Sequence, residues 1–424
     1  MQGRFMDQIK TLRCASDKSI SHRSAIFSSI ASGKTTIKNY LFAQDTLNTL
    51  EAFKKLGVDI DIDKTKVTIK GTGKYLKESF DIIDLGNSGT GIRLISAVCA
   101  GQSFLSILTG DNSLRNRPMK RIIEPLTQMG ATILSRKNFL APLAIFGKDK
   151  LKGINYASKI ASAQVKSAVL IAGLYTDENV EFSEPQVSRN HTEIMLKQFG
   201  VDIISENNKV FLGKHRKLTG GFELNVPADI SSCAFFMVMC ALKPNCEAVF
   251  ADCLINPTRT GILKVFSDMG VNYEIINKKT MCGEEVADIL VKYSPNLKPF
   301  YIDGKILPTL IDEIPILSIL ALFANGKSIL KDAKELRVKE SDRIKSIVEN
   351  LKKLGVKVEE FEDGFEIEPT KNIQKAYIET YFDHRITMSF SVLKALGYNL
   401  ELSETKSPTT SYPNFFEHLK YLGS

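Results

Sequence analysis

Tryptophan is absent from the 424 residues, and long apolar runs are missing too. The longest, Ala234 to Leu242, falls far short of the ~18 residues that a membrane-spanning helix needs. The opening MQGRFMDQIK lacks the apolar core of a secretory leader, so a cytoplasmic protein with no membrane partner is expected. The seven cysteines (14, 99, 233, 240, 246, 253 and 282) show no CxxC spacing, and the five histidines include no HExxH. Neither a disulfide framework nor a metal site is expected. Arginine is scarce: the 56 basic residues divide into 14 Arg and 42 Lys. Lysine is the default surface cation, so the positions of the arginines carry information.

What is present fits a folded globular chain. Hydrophobic residues make up 43% and charged residues 25%, too apolar a mixture for disorder. At about 150 residues per domain, two or three domains are expected. The net charge of +8 favours anionic ligands without choosing between nucleic acid and small phosphates.

Internal repetition is the strongest signal. A large apolar residue followed by Gly and then Val or Ala recurs at Leu56-Gly57-Val58, Met129-Gly130-Ala131, Phe199-Gly200-Val201, Met269-Gly270-Val271 and Leu354-Gly355-Val356. Glycine leaves a helix cheaply through a left-handed conformation, and a β-branched residue suits the strand that follows. VDIDIDKTKVTIKG, VDIISENNKVFLG and VKVEEFEDGFEIEP then read as hairpins. A second phrase, an apolar helix opened by small or polar residues, starts near Asp17, Gly86, Ser162, Asp229, Asp312 and Asp383. Each unit therefore reads as strand, apolar helix, strand, amphipathic helix, hairpin. Six units suggest two lobes of three, with the crossing in the turn-rich stretch Lys214 to Asp229.

Gly33-Lys34-Thr35 and Gly326-Lys327-Ser328 resemble the end of a phosphate loop. The first glycine of that motif is missing, replaced by Ser28 and Ala321. Both stretches also lie at helix ends, whereas a phosphate loop opens a helix. They are read as helix exits into strands.

Six polar helix starts present six sets of unpaired backbone N–H groups, an arrangement suited to an anionic substrate. Asp, Ser and Asn are equally ordinary N-caps, so the arginines tilt the balance. Nine fall in or beside these motifs: Arg23, Arg93, Arg115, Arg117, Arg121, Arg189, Arg337, Arg343 and Arg385. A guanidinium fork matches carboxylate or phosphate oxygens as lysine cannot. Acid–base groups share these places. Asp312-Glu313 opens the fifth apolar helix, and Lys339-Glu340 stands just before an amphipathic one. His384, beside Asp383 and Arg385, is either a base or a hydrogen-bonding residue.

The stretches KSISHR, GNSGTGIR, RNRPM, SAQ, SRNHTE, IDEIP, RVKESDR and DHR occur here in that order. Together they resemble the 5-enolpyruvylshikimate-3-phosphate synthase family along essentially the whole chain. The resemblance implies a two-lobed α/β (α+β) enolpyruvyl transferase-like fold of six βαβαββ repeats, three per lobe. Residues 14–225 would form the N-terminal lobe, and 1–13 with 226–424 the C-terminal lobe, with the active site in the cleft between them. It also implies transfer of the carboxyvinyl group of phosphoenolpyruvate to the 5-hydroxyl of shikimate 3-phosphate, with release of phosphate and no cofactor.

The resemblance further implies roles for individual residues. Lys18, Ser19, Arg23, Ser162, Ala163, Gln164, Arg189, Asp312 and Lys339 would hold shikimate 3-phosphate. Lys18, Asn87, Gly89, Arg93, Arg117, Gln164, Arg343 and Arg385 would hold phosphoenolpyruvate. Asp312, Glu340, Lys339 and Lys18 would be catalytic, Asp312 as the base near the 5-hydroxyl and Lys339 with Glu340 at the vinyl carbon. The partners would be these small anions, with no nucleic acid, and the chain a monomer.

Two other readings compete. The UDP-N-acetylglucosamine enolpyruvyl transferases have an asparagine after the first lysine and usually a loop cysteine. Here Ser19 follows Lys18, and Gly110 to Pro118 contains no cysteine. A basic nucleic-acid-binding or RNA-end-processing repeat protein would show basic stripes interleaved with aromatics. Here the motif arginines alternate with Ser, Asn and Gly.

Overall fold

The computed structural model describes residues 9–370 and 372–423. It divides into two compact units. Of the described residues, one comprises Ser16–Val226 with Met281–Glu284; the other comprises 9–15, Pro227–Thr280 and those from Glu285 to Gly423. Of the expected assignment of 1–13, residues 1–8 lie outside the described residues.

Each unit is built from repeats of one motif. In the first, the strand Ile83–Asp84 leads into the helix Gly89–Ala100, the strand Leu105–Thr109, the helix Lys120–Gln128 and the hairpin Thr132–Arg136/Leu140–Phe146. The leading strand pairs parallel with the next strand, and the hairpin adds two antiparallel strands. The same four-stranded order recurs in five sheets. The sixth repeat is shortened. Ala376–Ile378 and Leu400–Leu402 form a parallel pair, and the helix Phe415–Gly423 follows without a hairpin among the described residues.

The two kinds of helix differ as their sequences predict. In the helix Ile230–Leu242, every residue from Ile230 to Ala241 is buried, so it needs no polar face. The helix Arg343–Lys353 buries Ile344, Ile347, Val348 and Leu351 and ends on Lys352-Lys353, as an amphipathic surface helix should.

Two leading strands are exchanged. Lys10–Leu12 is followed in the chain by the helix Lys18–Ile30, yet it pairs with Glu247–Leu254 of the C-terminal unit. Glu223–Asn225 precedes the helix Ile230–Leu242, yet it pairs with Ser32–Lys38 of the N-terminal unit. Each unit thus closes a sheet with a strand from a distant part of the chain. Gly33-Lys34-Thr35 lies in the strand Ser32–Lys38, and Gly326-Lys327 runs into the strand Ser328–Leu330, as the helix-exit reading requires. Among the described residues no helix is long and apolar enough to cross a membrane, and no group of three or more His, Cys, Asp or Glu could hold a metal ion.

Candidate active site

In the N-terminal unit the three apolar helices open on side-chain caps. Asp17 accepts from the Ile20 amide at 2.7 Å, Ser88 from that of Gly91 at 3.0 Å, and Ser162 from that of Val165 at 3.5 Å. Thr90, Arg93 and Gln164 project from the first two turns beyond these caps, while Asn87 lies just before one and Arg117 before the helix Lys120–Gln128. Arg93 Nη1 donates to Gln164 Oε1 at 2.8 Å, and Gln164 Nε2 donates to Thr90 Oγ1 at 3.1 Å. Arg117 Nη2 donates to Asn87 Oδ1 at 2.7 Å, and Asn87 Nδ2 donates to Asp111 at 2.8 Å. Gly89 stands between the two guanidiniums: a Cβ there would lie 2.9 Å from Arg93 Nη1 and 3.2 Å from Arg117 Nη1. Asn87, Gly89, Arg93, Arg117 and Gln164 therefore form one continuous cationic surface with the backbone N–H groups of a helix start.

Beside it, Arg23 is almost completely buried. Its guanidinium donates to Thr192 Oγ1 at 2.7 Å, Ser167 Oγ at 2.8 Å and the Ser19 carbonyl at 3.0 Å. Burial, the largest influence, draws its pKa down to about 10, partly offset by the charges of Glu193 and Asp17. Arg189 acts on it in the same direction as burial. Lys18 Nζ pairs with Asp45 at 3.0 Å. His22, wholly buried, lies 2.8 Å from Thr49 Oγ1; burial first, then the charges of Lys18 and Arg23, hold its pKa well below the usual histidine value.

The C-terminal unit gathers three carboxylates on one guanidinium. Arg343 Nε donates to Asp383 Oδ2 at 2.9 Å, Nη2 to Glu340 Oε2 at 2.6 Å, and Nη1 to Asp312 Oδ1 at 3.4 Å. Burial alone would lower the Arg343 pKa, but Asp383, Glu340 and Asp312 together raise it above its ordinary value. Burial likewise pushes Asp383 up, and the Arg343 charge more than reverses this, leaving its carboxyl below its ordinary value. Arg385 Nη1 donates to the Asp312 carbonyl at 3.1 Å, with Nε 3.7 Å from Asp312 Oδ1. Lys339 is part-exposed, next to Glu340. Two carboxylates from separate motifs thus flank a fixed cation, an arrangement that can give a proton at one atom and take one at another.

Not every arginine of the sequence reading joins these clusters. Arg337 clamps Asp342, Glu360 and the backbone of Phe361 and Glu362, a structural role. Arg115 bonds Asn112, and Arg121 is exposed. Conversely, sequence reasoning missed Arg259, which is buried and donates to Asp229 Oδ1 at 2.8 Å and Ser231 Oγ at 2.9 Å. Its signal was available. It precedes the second helix of its repeat, as Arg117 and Arg189 do, and pairs with the cap of the first helix, where Arg117 pairs with Asn87, the residue before the cap Ser88. Lys166 was missed as well, although a lysine inside the apolar phrase SAQVKSAVLIAGL is conspicuous.

The model of the family described as EPSP synthase (3-phosphoshikimate 1-carboxyvinyltransferase) matches residues 6–419. The chain belongs to this family. It transfers the carboxyvinyl group of phosphoenolpyruvate to shikimate 3-phosphate, a step in aromatic amino acid biosynthesis. It is 47% identical over 410 residues to the 3-phosphoshikimate 1-carboxyvinyltransferase of Thermodesulfovibrio yellowstonii, covering 96% of this chain and 95% of that one. The structure of EPSP synthase from Acinetobacter baumannii matches with a TM-score of 0.86 and 41% identity, over 98% of this chain and 96% of that one. The enolpyruvyl transferase NikO from Streptomyces tendae shares the fold, with a TM-score of 0.77 at 14% identity over 97% of this chain and 94% of that one. The UDP-sugar and nucleic-acid readings of the sequence are not favoured.

Proposed function

We propose that the clusters described above divide the work of this reaction among named residues. Lys18, Ser19, Arg23, Ser162, Ala163, Gln164 and Arg189, with Asp312 and Lys339, hold shikimate 3-phosphate. Asn87, Gly89, Arg93, Arg117, Gln164, Arg343 and Arg385, with Lys18, hold phosphoenolpyruvate. The support is chemical. Guanidinium forks and helix N-termini suit the phosphate and carboxylate groups of both substrates, and Arg23, Arg93, Arg117 and Arg343 are oriented by hydrogen bonds to neighbouring side chains.

Asp312 takes the proton of the 5-hydroxyl as its oxygen bonds to the central vinyl carbon. Glu340, with Lys339 balancing its charge, delivers a proton to the methylene carbon, giving a tetrahedral intermediate. Glu340, left as a carboxylate, then takes back a methyl proton, which re-forms the double bond as the carbon–oxygen bond to phosphate breaks and inorganic phosphate leaves. The single observation that carries this reading is the placement of Asp312 and Glu340 on the same guanidinium of Arg343. An arriving anion adds negative charge to a group already rich in carboxylates, which raises their proton affinity and favours a carboxyl able to act as an acid.

The deciding experiment is phosphate release from phosphoenolpyruvate, assayed with shikimate 3-phosphate and separately with UDP-N-acetylglucosamine. Release with the first alone is expected; release with the second would overturn the substrate assignment. We further propose that the protein works as a cytoplasmic monomer and binds no nucleic acid. For the last point, the support is that Arg23, Arg117, Arg259, Arg343 and Arg385 are buried within the fold.

A further inference from the structure

The helix Ala163–Gly173 is buried from Val165 to Gly173, and Lys166 is buried with it, 1% exposed. Its ammonium has three donors and three acceptors. Nζ lies 3.0 Å from Glu184 Oε1, 2.8 Å from Glu193 Oε1 and 3.1 Å from the Ser188 carbonyl. Both carboxylates are buried as well. Three apolar side chains of similar volume would fill the same space without the desolvation cost of three buried charges. The position of the ion cluster shows what the charge accomplishes.

Each contact of Lys166 leads to a residue assigned above to shikimate 3-phosphate. Glu184 Oε2 accepts from the Ser162 amide at 3.2 Å, fixing the backbone at the helix cap. Glu184 Oε1 also accepts from Ser188 N at 2.8 Å and Ser188 Oγ at 2.9 Å, which ties down the residue immediately before Arg189. Glu193 acts on the Arg23 charge and neighbours Thr192, whose Oγ1 accepts from Arg23 Nε. Three separate segments are thus joined through one ammonium.

We propose that Lys166 is a positioning residue for shikimate 3-phosphate: it bridges Glu184 and Glu193 and thereby sets Ser162, Arg189 and Arg23 in register for the ligand. This inference rests on the binding assignment made above and adds a determinant to it. Lys166 itself is buried, so it would act through these residues.

The test is shikimate 3-phosphate titration calorimetry on the full chain, paired with steady-state kinetics. Lys166→Met should weaken shikimate 3-phosphate binding by about ten-fold or more, the scale of losing one hydrogen bond to a charged group. KM for phosphoenolpyruvate at saturating shikimate 3-phosphate should stay near the parent value. Lys166→Met combined with Glu184→Gln should regain affinity, because the amide oxygen can still accept from Ser162 while one orphaned charge is gone. Parent-like affinity in folded Lys166→Met would overturn the inference, as would an equal loss for both substrates. Should Lys166→Met fail to fold, Glu184→Gln alone carries the test: it must weaken shikimate 3-phosphate selectively, and parent-like binding overturns the inference. Failure of the parent chain to bind shikimate 3-phosphate would instead overturn the assignment beneath it.

Discussion

Arg343 and Asp383 form a two-point ion pair, Nε to Oδ2 at 2.9 Å and Nη2 to Oδ1 at 3.4 Å, with both side chains out of water. Asp383 also caps the helix His384–Ala395 by accepting from the Arg385 amide at 2.9 Å. One carboxylate therefore orients two arginines, one through its side chain and one through its backbone. Arg343→Met leaves Asp383 buried without its counter-charge and should lower stability by about 3–5 kcal/mol, read as a shift in the urea midpoint. Arg343→Met with Asp383→Asn should recover much of that loss while leaving catalysis impaired. Parent-like stability in the single variant would mean that the pair is energetically idle.

Buried His22 makes stability depend on pH below neutrality. Its folded pKa lies well below the ordinary value of 6.5, so the unfolded chain takes up a proton that the folded chain refuses. The contribution is complete above pH 6.5 and is lost as pH falls below that value. The slope should approach ~1.4 kcal/mol per pH unit for this one group. Urea unfolding between pH 7 and pH 5 should show this slope, and His22→Gln should flatten it. An unchanged slope would show that other groups dominate.

Gly89→Ala separates folding from binding. Alanine is the better helix former, so the first turn of Gly89–Ala100 should not be weakened. The new Cβ, however, would stand 2.9 Å from Arg93 Nη1 and 3.2 Å from Arg117 Nη1, forcing both guanidiniums to shift. KM for phosphoenolpyruvate should rise by roughly ten-fold, the cost of weakening one charge-assisted hydrogen bond. Affinity for shikimate 3-phosphate should change less. Equal effects on both substrates would count against assigning this surface to phosphoenolpyruvate.

Glu340→Gln keeps the shape and a hydrogen bond to Arg343 but cannot shuttle a proton. Turnover should fall by roughly 10²–10⁴-fold, the usual scale of general acid–base catalysis, with shikimate 3-phosphate binding nearly unchanged. In the parent protein, solvent deuterium should enter the methylene group of phosphoenolpyruvate during turnover. If the variant exchanges deuterium at the parent rate, Glu340 is not the acid.

Much of this molecule is written in local patterns. Six apolar helices, their polar starts and the Gly-Val exits are short-range features, set by N-cap chemistry, left-handed glycine and hydrophobic periodicity, so a repeat of about 70 residues is legible along the chain. The decoy phosphate loops resolve for the same reason, because helix exit and strand entry are local events. The motif residues at helix starts are likewise visible, as neighbours in sequence that share one turn.

Tertiary structure decided what those patterns cannot encode. Which sheet takes Lys10–Leu12 or Glu223–Asn225 depends on pairing across more than 180 residues, and either strand reads the same in any sheet. Lys166, Glu184 and Glu193 look like unrelated charges until packing buries them together, where only their pairing makes burial tolerable. Arg337 and Arg343 share one seven-residue motif, yet the first binds a surface hairpin and the second three carboxylates, because one precedes the helix cap Asp342 and the other follows it. Residue type and spacing determined the chemistry on offer; long-range packing determined which charges meet.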